Sequence, residues 1–230
     1  MSKEKLISVV VVVLVVAVVA SVIVFGGAGK TKNSLINKTP NMATVNGVPI
    51  TKEAYDAQLA LTISSFKGQG VDVLNADKLA QIKIQVLNDL INNELVNQEI
   101  VKAGIKITPE SVEVQYQALL NQAGGADKLK IQLNAAKLTE AGLRANIAKQ
   151  LAVQAYLLQH IDMSTATATP AEIAKFYADN TKGQKNTPLL KNVSEQIRQQ
   201  LVASKQQLLI TTFLASLRQN ATIATTTTAL

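Results

Sequence analysis

The sequence predicts a mainly α-helical fold: an N-terminal transmembrane helix, then a multi-helix domain carrying a small sheet. Three observations predict it. Residues Leu6–Phe25 form an uncharged apolar run broken only by Ser8 and Ser21. Most of the remaining chain places apolar residues at helical spacing between recognisable helix starts and stops. A single Asn-Gly pair, Asn46-Gly47, separates two short β-prone segments, and Ala221-Thr222-Ile223-Ala224 is β-prone near the other end.

A helix of about 20 apolar residues rises about 30 Å, the thickness of a bilayer core. The competing reading of Leu6–Phe25 is a cleaved signal peptide, with Lys3 and Lys5 as its basic region and Val18-Val19-Ala20 as its cleavage site. The run is longer than a usual signal core, which favours the anchor. Lys30, Lys32 and Lys38 come after it, so flanking charge does not settle the orientation. Both readings export the remainder of the chain. The expected layout is a cytoplasmic tail over 1–5, the anchor over 6–25, a linker over 26–41, one domain over 42–224 and a disordered tail over 225–230. The expected location is the cell membrane, single-pass, with the bulk on the extracytoplasmic (periplasmic or cell-wall) side. Gly26-Gly27-Ala28-Gly29-Lys30-Thr31 has the look of a phosphate-binding loop, but Val24 stands where that motif needs its first glycine. It reads as part of the linker.

The exported part opens with Ala43-Thr44-Val45 and Val48-Pro49-Ile50 around the Asn-Gly turn. Pro49 confines the second segment to a sheet edge. Thr51 caps a helix from Lys52, with Glu53 near its positive end. A second helix is expected from about Asn75 to Ala103, stopped by Gly104. Its apolar positions, from Leu79 to Val101, cover well over half the circumference, so it needs cover from more than one side. Thr108-Pro109-Glu110 opens a third helix and Ala123-Gly124-Gly125 ends it. A short helix is expected next, around Asp127–Ala136. Thr139-Glu140 opens another, with Leu143, Ile147, Leu151, Ala155 and Leu158 along one face. Thr169-Pro170-Ala171-Glu172 is a capping box for a short helix through Tyr177. Thr187-Pro188 opens a last helix of roughly 30 residues, about 45 Å long.

Composition removes whole classes of chemistry. The 230 residues hold no Cys, no Trp and one His. Zinc ribbons, Cys nucleophiles, multi-histidine metal sites and His-based triads are therefore out of reach. Aromatics are 3% of the chain, too few for a base-stacking platform. The net charge of +7 comes largely from lysines spread along the chain, which reads as a solvated surface and not a nucleic-acid face. His160 falls at a helix end, where a cation suits the negative pole. Glu110 and Glu113 share one helix face without a pocket or partner that would make them an acid/base pair. The expectation is a non-enzyme with no cofactor, no metal and no catalytic set.

Several of these segments, in this order and spacing, resemble the SurA N-terminal chaperone family. Val45-Asn46-Gly47-Val48-Pro49-Ile50-Thr51 and the Glu-bearing helix after it resemble the start of that domain. Val86-Leu87-Asn88-Asp89-Leu90-Ile91 through Ala103-Gly104-Ile105 resembles its long helix and following turn, and Thr108-Pro109-Glu110 continues it. Leu143-Arg144-Ala145-Asn146-Ile147 is similar to a further helix. Thr169-Pro170-Ala171-Glu172-Ile173 with Phe176-Tyr177-Ala178-Asp179-Asn180 resembles the segment before the isomerase domain in SurA, PrsA and PpiD, and Val193–Leu201 the returning C-terminal helix. Members with isomerase activity carry a parvulin domain at this point. Here only Thr181 to Pro188 fills the place, and the paired histidines of a parvulin site are missing.

The resemblance implies a mainly helical domain whose N-terminal strands pair with a strand after the last helix, where Ala221–Ala224 is placed. It also implies a chaperone that holds unfolded or nascent exported polypeptides, without prolyl isomerase activity. The alternative is a single-partner adaptor or structural protein at the translocon or cell envelope, the Sec translocon being the partner that PpiD-like proteins suggest. Size and placement nominate Leu61, Phe66, Tyr116, Leu119, Tyr156 and Phe213 to line a polypeptide-binding surface. With two Met in the exported part, Met42 and Met163, a Met-rich adaptable surface is not expected.

Overall fold

The structure, a computed structural model, describes residues 41–73, 75–136, 138–184 and 187–226. The anchor expected over 6–25, its flanking tail and nearly all of the linker lie outside the described residues. Among the described residues no helix is long and apolar enough to cross a membrane. They form two compact units, one from residues 41–156 together with 217–226, the other from 157–216. The span 42–224, read from the sequence as one domain, is thus shared between two units.

The larger unit begins with a hairpin. Strand β1 (Asn41–Val45) and strand β2 (Val48–Thr51) pair antiparallel, with Val45 opposite Val48 and Ala43 opposite Ile50. The turn needs two residues in the left-handed region. Asn46 and Gly47 supply them at φ 50° and 84°, which is why Asn-Gly is the pair found there. Helix α1 (Lys52–Gly68) starts on the Thr51 cap, whose hydroxyl accepts from the Ala54 N–H at 3.3 Å. Helix α2 (Ala76–Lys102) starts on Asn75, whose side chain accepts from Lys78 N–H, and stops before Gly104 at φ 62°.

Eight apolar residues of α2 are buried, from Ile82 to Ile100. At 100° per residue they span more than half the circumference, so α2 is covered from more than one side as expected. The cover is the sheet, through Met42, Ala43, Val45 and Ile50, and α1, through Tyr55, Leu59, Ile63 and Phe66. Val45, Ile50, Val86 and Ile91 are the largest fully enclosed side chains. Each such burial stabilises by about 1.5–3 kcal/mol. The apolar positions Ile84 and Val101 stay on the solvent side.

Helix α3 (Pro109–Ala123) opens on Thr108 with Pro109 in its first turn and ends at Gly124, φ 85°. Helix α4 (Ala126–Ala135) comes directly after, and helix α5 (Glu140–His160) begins on Thr139, whose hydroxyl accepts from Gly142 N–H at 3.0 Å. Strand β3 (Ile223–Thr225) completes the sheet in the order β2-β1-β3. It begins two residues later and ends one residue later than the β-prone segment Ala221–Ala224 suggested. Asn46 is the reason: its N–H donates to Thr222 O and its side-chain oxygen accepts from Thr222 N–H, both at 2.8 Å. Thr225, assigned to the tail from the sequence, is therefore the last residue of β3.

The smaller unit holds the end of α5, a short 3-10 turn (Met163–Thr165), helix α6 (Pro170–Thr181) and most of helix α7 (Leu190–Gln219). Its buried residues include Leu157, Ile161, Met163, Ile173, Ile197 and Ile210. The Thr169 capping box forms in full. Helix α6 passes Tyr177 by a turn, because the Asn180 and Thr181 side chains donate to the Phe176 and Tyr177 carbonyls. Helix α7 begins later than Thr187-Pro188 implied. The Tyr177 hydroxyl donates to the Pro188 carbonyl at 2.7 Å, which engages Pro188 before the helix begins.

Candidate functional site

Helices α3 and α4 are joined only by Gly124 and Gly125, both at positive φ. That joint turns the chain sharply enough for α4 to fold back beside α3. On α4 the apolar residues Leu129 and Leu133 are four apart, so they lie one above the other on one face. They pack with Tyr116 of α3 and Ile147 of α5 as a buried cluster, with Leu119, Leu120, Ala123, Leu143 and Leu151 half-buried around it.

The packing leaves a cleft of about 460 Å³ bounded by the three helices. Leu119, Gln122 and Ala123 line it from α3, and Leu129, Gln132 and Leu133 from α4. Ala136 and Leu143 close the remaining side. This is the size of a small-ligand pocket. Its walls are aliphatic apart from two glutamine amides, which can donate and accept but carry no charge.

A polar joint holds α5 against α3 next to the cleft. The Arg144 guanidinium lies over the Tyr116 ring, 3.6 Å from its centroid, and pairs with Glu113 at 3.1 Å and Glu140 at 3.3 Å. Arginine suits this place, because one planar cation can stack on a ring and donate sideways at once. The Glu113 carboxyl is held below the usual carboxylate range by its hydrogen bond from Gln117 and then by Arg144. A second concavity of about 590 Å³ runs along the outer face of α3, past Glu110, Glu113, Val114 and Gln117.

The six residues nominated from the sequence end up in different surroundings. Leu119 lines the cleft. Leu61 stands on α1 at 44% exposure. Phe66, on the same helix, is half-buried against the sheet–α2 core. Phe213 belongs to the smaller unit, half-buried, its ring 6.0 Å from that of His160. Tyr116 and Tyr156 are corrections: at 5% and 3% exposure they are core side chains and line no open surface. Burial of each ring comes from its position. Tyr116 faces α4 beneath Arg144, and Tyr156 is enclosed on α5, so that loss of solvent raises its hydroxyl pKa. Sequence reasoning missed Leu129, Leu133, Gln122 and Gln132. The signal was there in part, as a Leu pair at spacing four directly after a Gly-Gly joint. Among the described residues no group of three or more His, Asp or Glu is arranged to hold a metal ion.

The fold places, in one helical domain, capped helices, one small antiparallel sheet and an uncharged recess of aliphatic side chains and glutamine amides. The family model of SurA-like N-terminal domains matches residues 1–157. The chain belongs to that family. The match includes the apolar run 6–25 and the α3–α4–α5 cleft and stops within α5. No curated protein matches the chain.

Proposed function

We propose that the protein is a membrane-anchored, extracytoplasmic holdase that binds unfolded exported polypeptides and has no prolyl isomerase activity. The observation that carries this reading is the cleft between α3, α4 and α5, uncharged, lined by aliphatic side chains and two glutamine amides, and lying within the family match. An unfolded client offers apolar side chains in no fixed order, so an aliphatic recess with neutral amides suits it better than a charged or shape-coded pocket. Tethering through residues 6–25 would raise the effective concentration of the site near emerging chains. The absence of isomerase activity is supported by the interval between α6, which ends at Thr181, and α7, which begins at Leu190: it is too short to hold a catalytic domain at that place.

The test fills the cleft. Gln132 lines it from an exposed position, so Gln132→Trp occupies the recess without disturbing the buried cluster. Wild type should suppress aggregation of a chemically unfolded exported protein at near-stoichiometric ratio without nucleotide. The variant should lose most of that suppression at unchanged melting temperature. Equal suppression by both proteins would remove the cleft from the reading, and none by wild type would remove the holdase.

A further inference from the structure

The two outer edges of the sheet are unlike. Strand register decides which main-chain groups face outward. Asn46 N–H donates to Thr222 O and Thr226 N–H to Met42 O. With Thr44 opposite Ala224, residues 222, 224 and 226 therefore turn their main chain toward β1. Ile223 and Thr225 turn theirs the other way, presenting two N–H and two C=O groups. These are spaced about 7 Å apart along the strand.

On the opposite edge, β2 hydrogen-bonds β1 through Val48 and Ile50, so its outward position is residue 49. That residue is proline. It costs the ladder nothing and leaves no outward donor there, which is a usual way to keep an edge from pairing. Strand β3 carries neither charge nor proline, its residues being Ile, Ala and Thr; the one thing that limits pairing there is its length of three residues. Ala224 and Thr225 are exposed, and among the described residues no strand pairs with this side.

We propose that the β3 edge is a second binding site, which takes an extended segment of unfolded polypeptide as a fourth strand. The edge matches this occupant: alternating donors and acceptors at strand spacing fit the main chain of an extended segment, which replaces the water that otherwise solvates them. Such pairing reads no side chains, so it adds affinity to the cleft without adding sequence preference. Because the occupant is an unfolded polypeptide, this site rests on the chaperone reading above.

The probe is a synthetic ten-residue peptide of alternating valine and threonine with a lysine at each end. Its control is the same peptide methylated on each central backbone nitrogen, which removes donors from both of its edges. Thr225→Pro copies the block that Pro49 provides and sacrifices no bond to β1; Thr225→Val keeps the edge. Peptide affinity for the full chain should fall about tenfold or more in Thr225→Pro and stay at the wild-type value in Thr225→Val. Amide exchange at Ile223 and Thr225 should slow when the unmethylated peptide binds wild type. The methylated peptide should bind wild type at least about tenfold more weakly, a result that holds even if Thr225→Pro folds poorly.

Equal affinity across both variants and both peptides would overturn the edge site while leaving the Gln132 result to judge the cleft. A peptide-free dimer of wild type, dissolved by Thr225→Pro in analytical ultracentrifugation, would also overturn it, in favour of a second copy of the chain.

Discussion

Single side chains in the smaller unit make opposite contributions. Glu172 closes the capping box on Thr169 and accepts from Lys205 of α7 at 2.6 Å, while Lys205 also donates to the Thr167 carbonyl. The hydrogen bond from Lys205, then those from Thr169, hold the Glu172 carboxyl at about 2. The folded state thus binds this proton more weakly than the unfolded chain, whose carboxylate titrates near 4.5. The resulting stabilisation is complete above about pH 4.5 and fades as pH falls toward 2. The melting-temperature gap between wild type and Glu172→Gln should accordingly be open at pH 6 and closed near pH 2. A gap independent of pH would show that the ionised form is not what the fold uses. Gln206 works the other way. It is buried at 5% exposure, and its side-chain oxygen finds no hydrogen-bond partner among the described residues. Gln206→Met keeps the length and removes the orphan acceptor, so it should stabilise by about 1 kcal/mol, a rise of roughly 2–4 °C in melting temperature. A fall would mean that the amide has a role that its oxygen does not reveal.

At the scale of elements, what was legible in the sequence was local. The hairpin could be read from Asn46-Gly47 because only a turn of two positive φ values joins strands so tightly. The starts of α1, α2, α3, α5 and α6 could be read from Thr51, Asn75, Thr108, Thr139 and Thr169 because a cap acts within three residues. What was not legible was set by residues far apart in the chain. Gln98 of α2 binds both the Asn46 side chain and the Val45 carbonyl, and Asn46 in turn fixes Thr222. Arg218, near the end of α7, donates to Asn92 and Asn88 of α2 at 2.8 and 3.0 Å. No periodicity announces such pairs. The strand they place can be tested. Deleting residues 221–226 should speed amide exchange at Thr44 and Asn46, which face β3, by about tenfold or more. Ala43 and Val45, bonded to β2, should keep their protection. Uniform loss across β1 would show that β3 holds up the whole sheet.

Across the whole molecule, little of the cleft was readable in the sequence. Leu119 was nominated from the sequence and lines the cleft, whereas Tyr116, nominated with it, lies in the core just behind. The two differ by three positions on α3, less than a turn, and only the placement of α4 decides which is enclosed. That placement comes from the Gly124-Gly125 joint, whose geometry composition does not disclose. The two-unit division was hidden for a similar reason. Helices α5 and α7 run unbroken across the division, so no proline, glycine or change of composition marks it.

Sheet order β2-β1-β3 means that the first described strand waits for the last one. A ribosome releases β1 long before it has read the codons for Ile223–Thr225, so during synthesis the outer flank of β1 stays unmatched while the intervening helices emerge. Premature termination, or trimming by a protease just beyond α7, leaves that flank bare for good. Any chain that stops before Ile223 therefore lacks the strand that covers this side of β1.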